Sequence, residues 1–278
     1  MTWAITSLLV RTLIPVFNAA SVNAIRSSLS GAFLLAWILL GGGLGQLVAV
    51  SPRAFGLLAV SILFAISIGD TVFFESTRSL GTARALTVAM TYPLIAAALA
   101  AMFFDEAITL QIVTGAVLTL GGLALIVLGK REETPGEERW WLGVGAATVA
   151  SIAWAISVVL MKAPLREMDA VTAQAIRLPV AAALLWATPW TWRAPRLLLA
   201  TDRGVIGRVL ALSALTALSS VMFVAGLKYA GVAVATVLSS TAPMFAMPLG
   251  FFVLGERLTA RAIGGLIVTV IGIAVLQL

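Results

Sequence analysis

Residues 228–278 read KYAGVAVATVLSSTAPMFAMPLGFFVLGERLTARAIGGLIVTVIGIAVLQL, and residues 78–128 follow the same pattern 150 positions earlier without a gap. An upstream block repeats at an offset of 151, where Trp3-Ala4-Ile5 corresponds to Trp154-Ala155-Ile156. Internal duplication of an apolar chain is typical of transporters built from two repeats around a midplane site. The matched residues include Gly81/Gly231, Pro93/Pro243, Glu106/Glu256, Thr109/Thr259, Gly115/Gly265, Thr119/Thr269 and Gly122/Gly272.

The composition indicates an integral membrane protein. Hydrophobic residues make up 61% of the chain and charged residues 11%, whereas soluble domains carry about 45–50% and about 25%. The chain has no cysteine and no histidine, which excludes disulfides, thiolate and imidazole chemistry and the common zinc and haem sites. We therefore expect neither a metal nor a cofactor. The net charge of +6 is spread singly or in pairs over short loops, which is not a nucleic-acid-binding pattern.

Stretches of about 20 apolar residues predict ten membrane-spanning helices. They lie near 1–17, 28–48, 55–77, 83–104, 108–129, 140–161, 171–191, 206–228, 232–254 and 259–278. The sequence thus divides into a first five-helix repeat at 1–129, a polar linker at 130–139 and a second repeat at 140–278. Because five is odd, the second repeat enters the bilayer in the opposite orientation, so we predict an all-α inverted-repeat fold. The repeat alignment makes the first helix short.

Ionisable residues inside spans are costly and usually face a cavity. Asp70, within predicted span three, could bind a substrate ammonium group or a proton, or it could be neutralised for packing. Glu75 is a second candidate for proton coupling, although it could instead pair with Arg78 three residues later on the same helical face.

Several cations also fall within or at the ends of predicted spans. Arg26 and Arg177 occur in both repeats and are expected to open spans two and seven. They could bind an anionic substrate group, or they could reach a lipid headgroup or cap a neighbouring helix. The complete set of intramembrane cations is Arg11, Arg26, Lys162, Arg177 and Lys228.

Prolines interrupt the fourth and ninth predicted spans. Proline frees a carbonyl and kinks a helix, and irregular backbone in a membrane is tolerated where it faces protein or a wet cavity. Tyr92 and a run of hydroxyl side chains lie at the same level, and Trp3 and Trp154 could stack on a substrate or simply fill space. These candidates for cavity lining are Tyr92-Pro93, Ser239-Ser240-Thr241, Pro243, Trp3 and Trp154.

Two further features predict structural roles. The stripes Gly115-x₃-Thr119-x₂-Gly122 and Gly265-x₃-Thr269-x₂-Gly272 allow close approach of helices, either between spans five and ten or at a dimer face. Glu106 and Glu256 precede spans five and ten, where an acid is favourable at a helix N-terminus.

The spacing Trp154-x₇-Lys162-x₁₄-Arg177, repeated as Trp3-x₇-Arg11-x₁₄-Arg26, resembles the start of an EamA-type domain of the drug/metabolite transporter superfamily. The resemblance implies ten helices in two inverted repeats, a central cavity, and export or exchange of small metabolites by alternating access. In family members that export amino acids, the cavity is lined mainly by helices one, three, four, six, eight and nine. By that implication the positions to test first are Trp3, Asp70, Tyr92, Trp154, Ser239 and Ser240.

The leading functional prediction is a secondary transporter that exports amino acids or similar amphipathic compounds. An exchanger of anionic metabolites, such as sugar phosphates or nucleotide sugars, is an alternative, as is an accessory membrane subunit that transports nothing. We expect no enzymatic activity, since His and Cys are absent and a single midspan Asp cannot form an aspartyl dyad. The expected partners are a small-molecule substrate and membrane lipid, without nucleic acid. The expected state is a monomer or homodimer spanning the cytoplasmic membrane several times.

Overall fold

The computed structural model describes residues 2–13, 15–80, 85, 88–128, 137–241 and 259–277, in which helices are the regular secondary structure. A π-helical segment, Leu63–Asp70, joins α4 to α5, and short 3₁₀ turns lie at Pro164–Arg166 and Pro189–Thr191. The α-helices are α1 Thr2–Leu13, α2 Ala19–Leu40, α3 Leu44–Val48, α4 Pro52–Ile62, α5 Thr71–Leu80, α6 Tyr92–Phe104, α7 Leu110–Leu128, α8 Glu137–Lys162, α9 Ala170–Trp186, α10 Ala194–Ala200, α11 Arg203–Tyr229, α12 Val232–Ser239 and α13 Ala260–Gln277.

The described helices are those of a polytopic membrane protein. Four stretches are long and apolar enough to cross a bilayer, namely Ala19–Leu40, Pro52–Phe73, Trp140–Arg166 and Arg203–Tyr229. A fifth results if Ala170–Trp186 and Pro189–Ala200, which are bent by 89°, count as one span. Large apolar side chains on the outer faces of the shorter helices, such as Val117 and Ile267 at 56% exposure each, suit contact with lipid better than contact with water. The number of ten spans stays a prediction.

The second predicted span is displaced from the helix that the structure contains. We expected residues 28–48, whereas α2 runs from Ala19 to Leu40. The Asn18 side chain accepts a hydrogen bond from Ser21 N at 2.7 Å, which is the usual N-cap arrangement. Gly42, at φ +73°, turns the chain after the helix ends. Residues 18–30 include so many polar side chains that a hydropathy average does not indicate the start of this helix.

The described chain packs as two compact units, of which the second combines Thr2–Ile68 with Leu160–Tyr229. In this unit α2 packs against α9 and α11. At the contact between α2 and α9, a Cβ on Gly31 would lie 2.9 Å from the Cδ of Pro179. Glycine is therefore required for the close approach of these two helices, and Pro179 is a mid-helix proline whose packing role the sequence reading missed.

The first unit combines Gly69–Val159 with Ala230–Leu278, and its helices include the repeat-related pair α7 and α13. A Cβ on Gly122 would lie 2.6 Å from Gly265 O, and a Cβ on Gly272 would lie 2.9 Å from Gly115 O. The two glycine stripes therefore face each other reciprocally. The expectation that they form a contact between the last helices of the two repeats is confirmed.

Candidate functional site

Asp70 and Trp154 form the centre of a polar and aromatic group in the first unit. The indole Nε1–H of Trp154, on α8, donates a hydrogen bond to Asp70 Oδ1 at 3.1 Å. Asp70 is the last residue of the π-helical segment Leu63–Asp70, and π-helical turns are rare features found often at functional sites. Both side chains are half-buried, and the indole N–H orients the carboxylate.

Two more aromatic rings surround the Trp154 indole. The ring of Phe73 lies 5.2 Å from it, centroid to centroid, at 49°. The ring of Tyr92 lies 5.9 Å away in an edge-on arrangement at 79°. These separations are those of favourable aromatic pairs. We call Phe73, Tyr92 and Trp154 the aromatic cluster. Asp70 therefore lies at the edge of a group of three rings.

Hydroxyl groups extend this site from Tyr92 to the end of α12. The Tyr92 hydroxyl and Ser239 Oγ lie 2.6 Å apart, and Tyr92 also donates to Thr236 O at 3.2 Å. The hydroxyls of Ser239 and Ser240 donate to the same carbonyl at 2.8 and 2.9 Å. They thus satisfy backbone groups that the end of a helix leaves without intrahelical partners. Of the predicted hydroxyl residues, Thr241 lies one residue further and donates to Leu238 O at 2.7 Å.

The helix interruptions before the two prolines are built alike. Thr91 N and Oγ1 donate to Val88 O at 3.2 and 2.8 Å. At the corresponding position of the second repeat, Thr241 N and Oγ1 donate to Leu238 O at 3.2 and 2.7 Å. Both threonines thus close a tight turn that ends a helical segment.

The position of Pro93 differs from the expected mid-helix kink. Pro93 is the second residue of α6, where proline is well tolerated because its missing N–H would have no intrahelical partner. The chain is therefore broken before Pro93 rather than bent at it. Thr91 at this break also contacts Ser151 of α8, with 2.9 Å between the hydroxyl oxygens. Pro243 lies outside the described residues.

Several predicted site residues are not part of this group. Glu75 is exposed on α5, one turn beyond Asp70. The side chains of Trp3, Arg11 and Arg78 lie outside the described residues, so the predicted pair of Glu75 with Arg78 stays a prediction.

The four intramembrane cations with described side chains belong to the second unit. Arg177 is buried, with 4% of its surface exposed, and donates to Ser61 Oγ and Gln174 Oε1 at 3.0 Å each. Lys228 Nζ donates to Met168 O at 2.8 Å. These contacts secure neighbouring helices and loops. The other two cations are Lys162, at the last position of α8, and Arg26, within α2.

The expectation that Arg26 and Arg177 open their spans is wrong. Arg26 lies in α2 and Arg177 in α9, each about two turns after the helix begins. Helix α2 begins nine residues before the predicted start of span two, whereas α9 begins at Ala170, one residue before the predicted start of span seven. Asn18 caps α2, and Asp169 caps α9 by accepting a hydrogen bond from Thr172 N at 2.8 Å. The two arginines therefore occupy helix interiors.

Glu106 caps a helix that lies far along the chain. Its carboxylate oxygens accept hydrogen bonds from Val232 N, at 3.2 Å to Oε2 and 3.4 Å to Oε1. Val232 is the first residue of α12, and the preceding Gly231 has φ +83°. A carboxylate at a helix N-terminus is stabilising. Glu106 therefore joins the loop of one repeat to a helix of the other. Glu256 lies outside the described residues.

The sequence reading missed Phe73, Ser151 and Thr236 as parts of the site. Helical spacing could have indicated two of them. Phe73 lies three residues after Asp70, and Ser151 three residues before Trp154, so each shares a helix face with a predicted residue. Thr236 contributes its carbonyl oxygen, for which side-chain identity gives no signal.

This arrangement offers a ligand one carboxylate, aromatic faces, an indole N–H and several hydroxyls. In the described part of the chain, no group of three or more His, Cys, Asp or Glu residues could hold a metal ion.

Comparisons with known proteins agree with a membrane-transport scaffold. Residues 1–128 and 141–278 each match the model of the EamA-like transporter family. An uncharacterised transporter of Archaeoglobus fulgidus is 24% identical over 237 residues, which cover 83% of this chain and 79% of the relative. A solved structure, titled only as the crystal structure of a protein, superposes with a TM-score of 0.78 at 20% identity. That superposition covers 99% of this chain and 90% of the other.

Proposed function

The chain belongs to the EamA-like transporter family, which is part of the drug/metabolite transporter superfamily, and we propose that it exports amino acids or similar small amphipathic metabolites as a secondary transporter. A membrane transporter is what the family and the transporter-named relative support. The substrate class and the alternating-access mechanism are our proposals. The observation on which the proposal rests is the hydrogen bond from Trp154 to Asp70 beside the aromatic cluster.

The proposed architecture is ten helices in two inverted repeats within the cytoplasmic membrane. The duplication in the sequence supports it, and so do the matching turns at Thr91 and Thr241. The reciprocal contacts of Gly122 with Gly265 and of Gly272 with Gly115 add a pseudo-symmetric helix pair. Repeats of this kind typically place the substrate near discontinuous helices, where one repeat moves against the other.

An amphipathic substrate suits the residues around Asp70. The aromatic cluster offers apolar surface, while the carboxylate and the hydroxyls of Tyr92 and Ser239 offer polar contacts. Binding sites for small molecules commonly combine predominantly apolar walls with a few placed polar groups. Coupling to protons, if transport uses it, would require protonation of a carboxylate in the pathway, for which Asp70 is our candidate and Glu75 the alternative.

The alternative of anion exchange rests on the intramembrane cations and receives less support. Arg177 donates to Ser61 of α4 and to Gln174 one turn earlier on its own helix, which accounts for its burial as a helix-packing residue. Lys228 is engaged with a backbone carbonyl. We therefore place substrate recognition at Asp70 rather than at these cations.

Efflux from proteoliposomes tests this proposal. Purified protein is reconstituted with a panel of labelled amino acids, with and without an imposed pH gradient, as wild type, Asp70→Asn and Glu75→Gln. We expect substrate-dependent flux that Asp70→Asn abolishes or uncouples from the gradient, and that the exposed Glu75→Gln retains. Flux that is indifferent to Asp70→Asn would remove Asp70 from the mechanism. Absence of flux for every amino acid would contradict the proposed substrate class.

A further inference from the structure

We propose that the segment between α9 and α11 binds anionic phospholipids at one surface of the membrane. The binding surface, which we call the interfacial patch, consists of Trp190, Trp192, Arg193, Arg196 and Leu199, all within the second unit. This inference goes beyond the proposed transport function, because it concerns a lipid that the protein holds rather than a substrate that it moves.

The course of the chain places the interfacial patch at a membrane surface. Helix α9 has 17 residues, close to the shortest length that crosses a bilayer, and the stretch Pro189–Ala200 is bent from it by 89°. The membrane-spanning stretch Arg203–Tyr229 begins directly afterwards. A segment that joins the end of one span to the start of the next, perpendicular to the first, lies along the bilayer surface.

The backbone of this turn is held in place by hydrogen bonds. Asn18 Nδ2, at the start of α2, donates to Trp190 O at 2.9 Å. The buried hydroxyl of Thr191 donates to Leu185 O at 3.0 Å. The side chains on either side of Thr191 nevertheless point outward, since Trp190 and Trp192 are each 66% exposed. A fixed turn therefore presents two indoles to the surroundings of the protein.

Helix α10 turns one face to the protein and leaves another uncovered. Ala194 is fully buried in an apolar cluster, and Leu198, one turn later, packs against that cluster. Leu199 is 88% exposed. Exposed tryptophans are typical of the boundary between headgroups and acyl chains, because the indole ring is amphipathic. The apolar part of the interfacial patch thus suits contact with lipid.

The same segment carries an excess of positive charge. Residues 187–208 contain four arginines and one acid, Asp202, and Asp202 Oδ1 accepts a hydrogen bond from Val205 N at 2.8 Å, which caps α11. Arg193 and Arg196 are exposed. They share one side of α10, since they are three positions apart and Arg193 already has helical dihedral angles. Guanidinium groups bind phosphate oxygens through pairs of parallel hydrogen bonds.

A phospholipid with a net negative charge suits this combination best. A soluble anion would use the arginines but not the indoles or Leu199. In phosphatidylethanolamine the ammonium group offsets the phosphate charge, whereas phosphatidylglycerol keeps a net charge of about −1, which the local excess of arginine attracts. Each arginine close to an anionic lipid surface contributes about fivefold to the affinity.

Native mass spectrometry of the full-length protein in a neutral detergent tests this selectivity. The protein is titrated with phosphatidylglycerol or with phosphatidylethanolamine carrying the same acyl chains, and the spectra resolve each bound lipid. We expect the first phosphatidylglycerol to bind at least about fivefold more tightly than phosphatidylethanolamine. Equal affinities for the two lipids would overturn the inference.

Paired substitutions assign the selectivity to the interfacial patch. Arg193→Gln combined with Arg196→Gln should weaken phosphatidylglycerol binding by at least about tenfold, whereas the corresponding lysine pair should keep the preference. The control Arg53→Gln removes an exposed arginine near the opposite end of α9, where Ser51 Oγ donates to Glu167 Oε2 at 2.8 Å. It should leave both affinities unchanged. Equal losses in Arg53→Gln and the glutamine pair would show that general charge attracts the lipid, which contradicts the inference.

Two other occupants of the interfacial patch are distinguished by the same measurement. Glycerol 3-phosphate offers a similar phosphate without acyl chains, and we expect it not to displace phosphatidylglycerol even in large excess. Displacement would assign the patch to a soluble anion and overturn the lipid assignment. A dimer that the glutamine pair dissociates, without any preference for phosphatidylglycerol, would instead identify the patch as a contact between two copies of the chain and would also overturn it.

Discussion

The crossing of α7 and α13 makes a quantitative prediction about two glycines. An alanine at Gly122 would place its Cβ 2.5 Å from Thr269 N, where ordinary contact begins at 3.4 Å, so that the helices must separate by about 0.9 Å. The opposing atom belongs to the backbone and cannot rotate away. A gap of this size forfeits about a quarter to a half of the dispersion energy of the atoms concerned. We therefore expect Gly122→Ala to lower the free energy of unfolding by about 1–3 kcal/mol.

The neighbouring glycine is a matched control. A Cβ on Gly121 would meet no atom within 4 Å, so Gly121→Ala should be neutral or slightly stabilising, since alanine is the better helix former. Unfolding of the detergent-purified protein with sodium dodecyl sulfate measures both. Gly272→Ala should resemble Gly122→Ala because the contact is reciprocal, and the double variant should cost less than the sum since one separation makes room for both methyl groups. Equal stability of Gly121→Ala and Gly122→Ala would refute the close approach.

Three other substitutions test individual contacts by the same unfolding measurement. Tyr92→Phe removes a buried hydroxyl and should lower the free energy of unfolding by about 1 kcal/mol. The control Tyr229→Phe, at a site 77% exposed, should have no measurable effect. Equal effects would contradict the hydrogen bond to Ser239. Glu106→Ala removes the cap of α12 and should lower the free energy of unfolding by about 0.5–2 kcal/mol. The control Asp105→Asn, in a left-handed conformation that asparagine adopts readily, should leave stability unchanged. Unchanged stability of Glu106→Ala would argue against the cap. Arg177→Lys keeps the charge but not the fork that reaches two acceptors. It should therefore lower the free energy of unfolding by about 1–3 kcal/mol and leave the substrate KM unchanged. A raised KM with unchanged stability would instead place this arginine in substrate binding.

Sequence reasoning located features that depend on composition and local spacing. The low fraction of charged residues, 11%, identified a polytopic membrane protein. The repeated Gly-x₃-Thr-x₂-Gly stripe predicted either the pairing of α7 with α13 or a dimer face, because small residues on one face permit close packing. The same reasoning singled out Asp70, Tyr92, Trp154 and Ser239, which the fold brings into one group. Their role in substrate binding stays a prediction.

Features that depend on tertiary contacts could not be read in this way. Glu106 lies just before α7 and caps α12, which is distant in sequence, so position along the chain did not indicate this second contact. The start of α2 is set by the cap Asn18, which hydropathy averages ignore, whereas the start of α9 at Ala170 was predicted to within one residue. The π-helical segment before Asp70 has no simple residue signature. Its hydrogen-bond pattern depends on neighbouring packing, and the exposure and orientation of Asp70 followed only from the structure.

Counterflow in proteoliposomes loaded with unlabelled amino acid tests the central claim most directly. Labelled substrate is added outside, and its uptake is compared among wild type, Asp70→Asn and Glu75→Gln at equal reconstituted amounts. The account predicts transient accumulation of label with wild type and Glu75→Gln, and its loss with Asp70→Asn, since the carboxylate hydrogen-bonded to Trp154 takes part in substrate binding. Unchanged accumulation with Asp70→Asn would contradict the placement of the site.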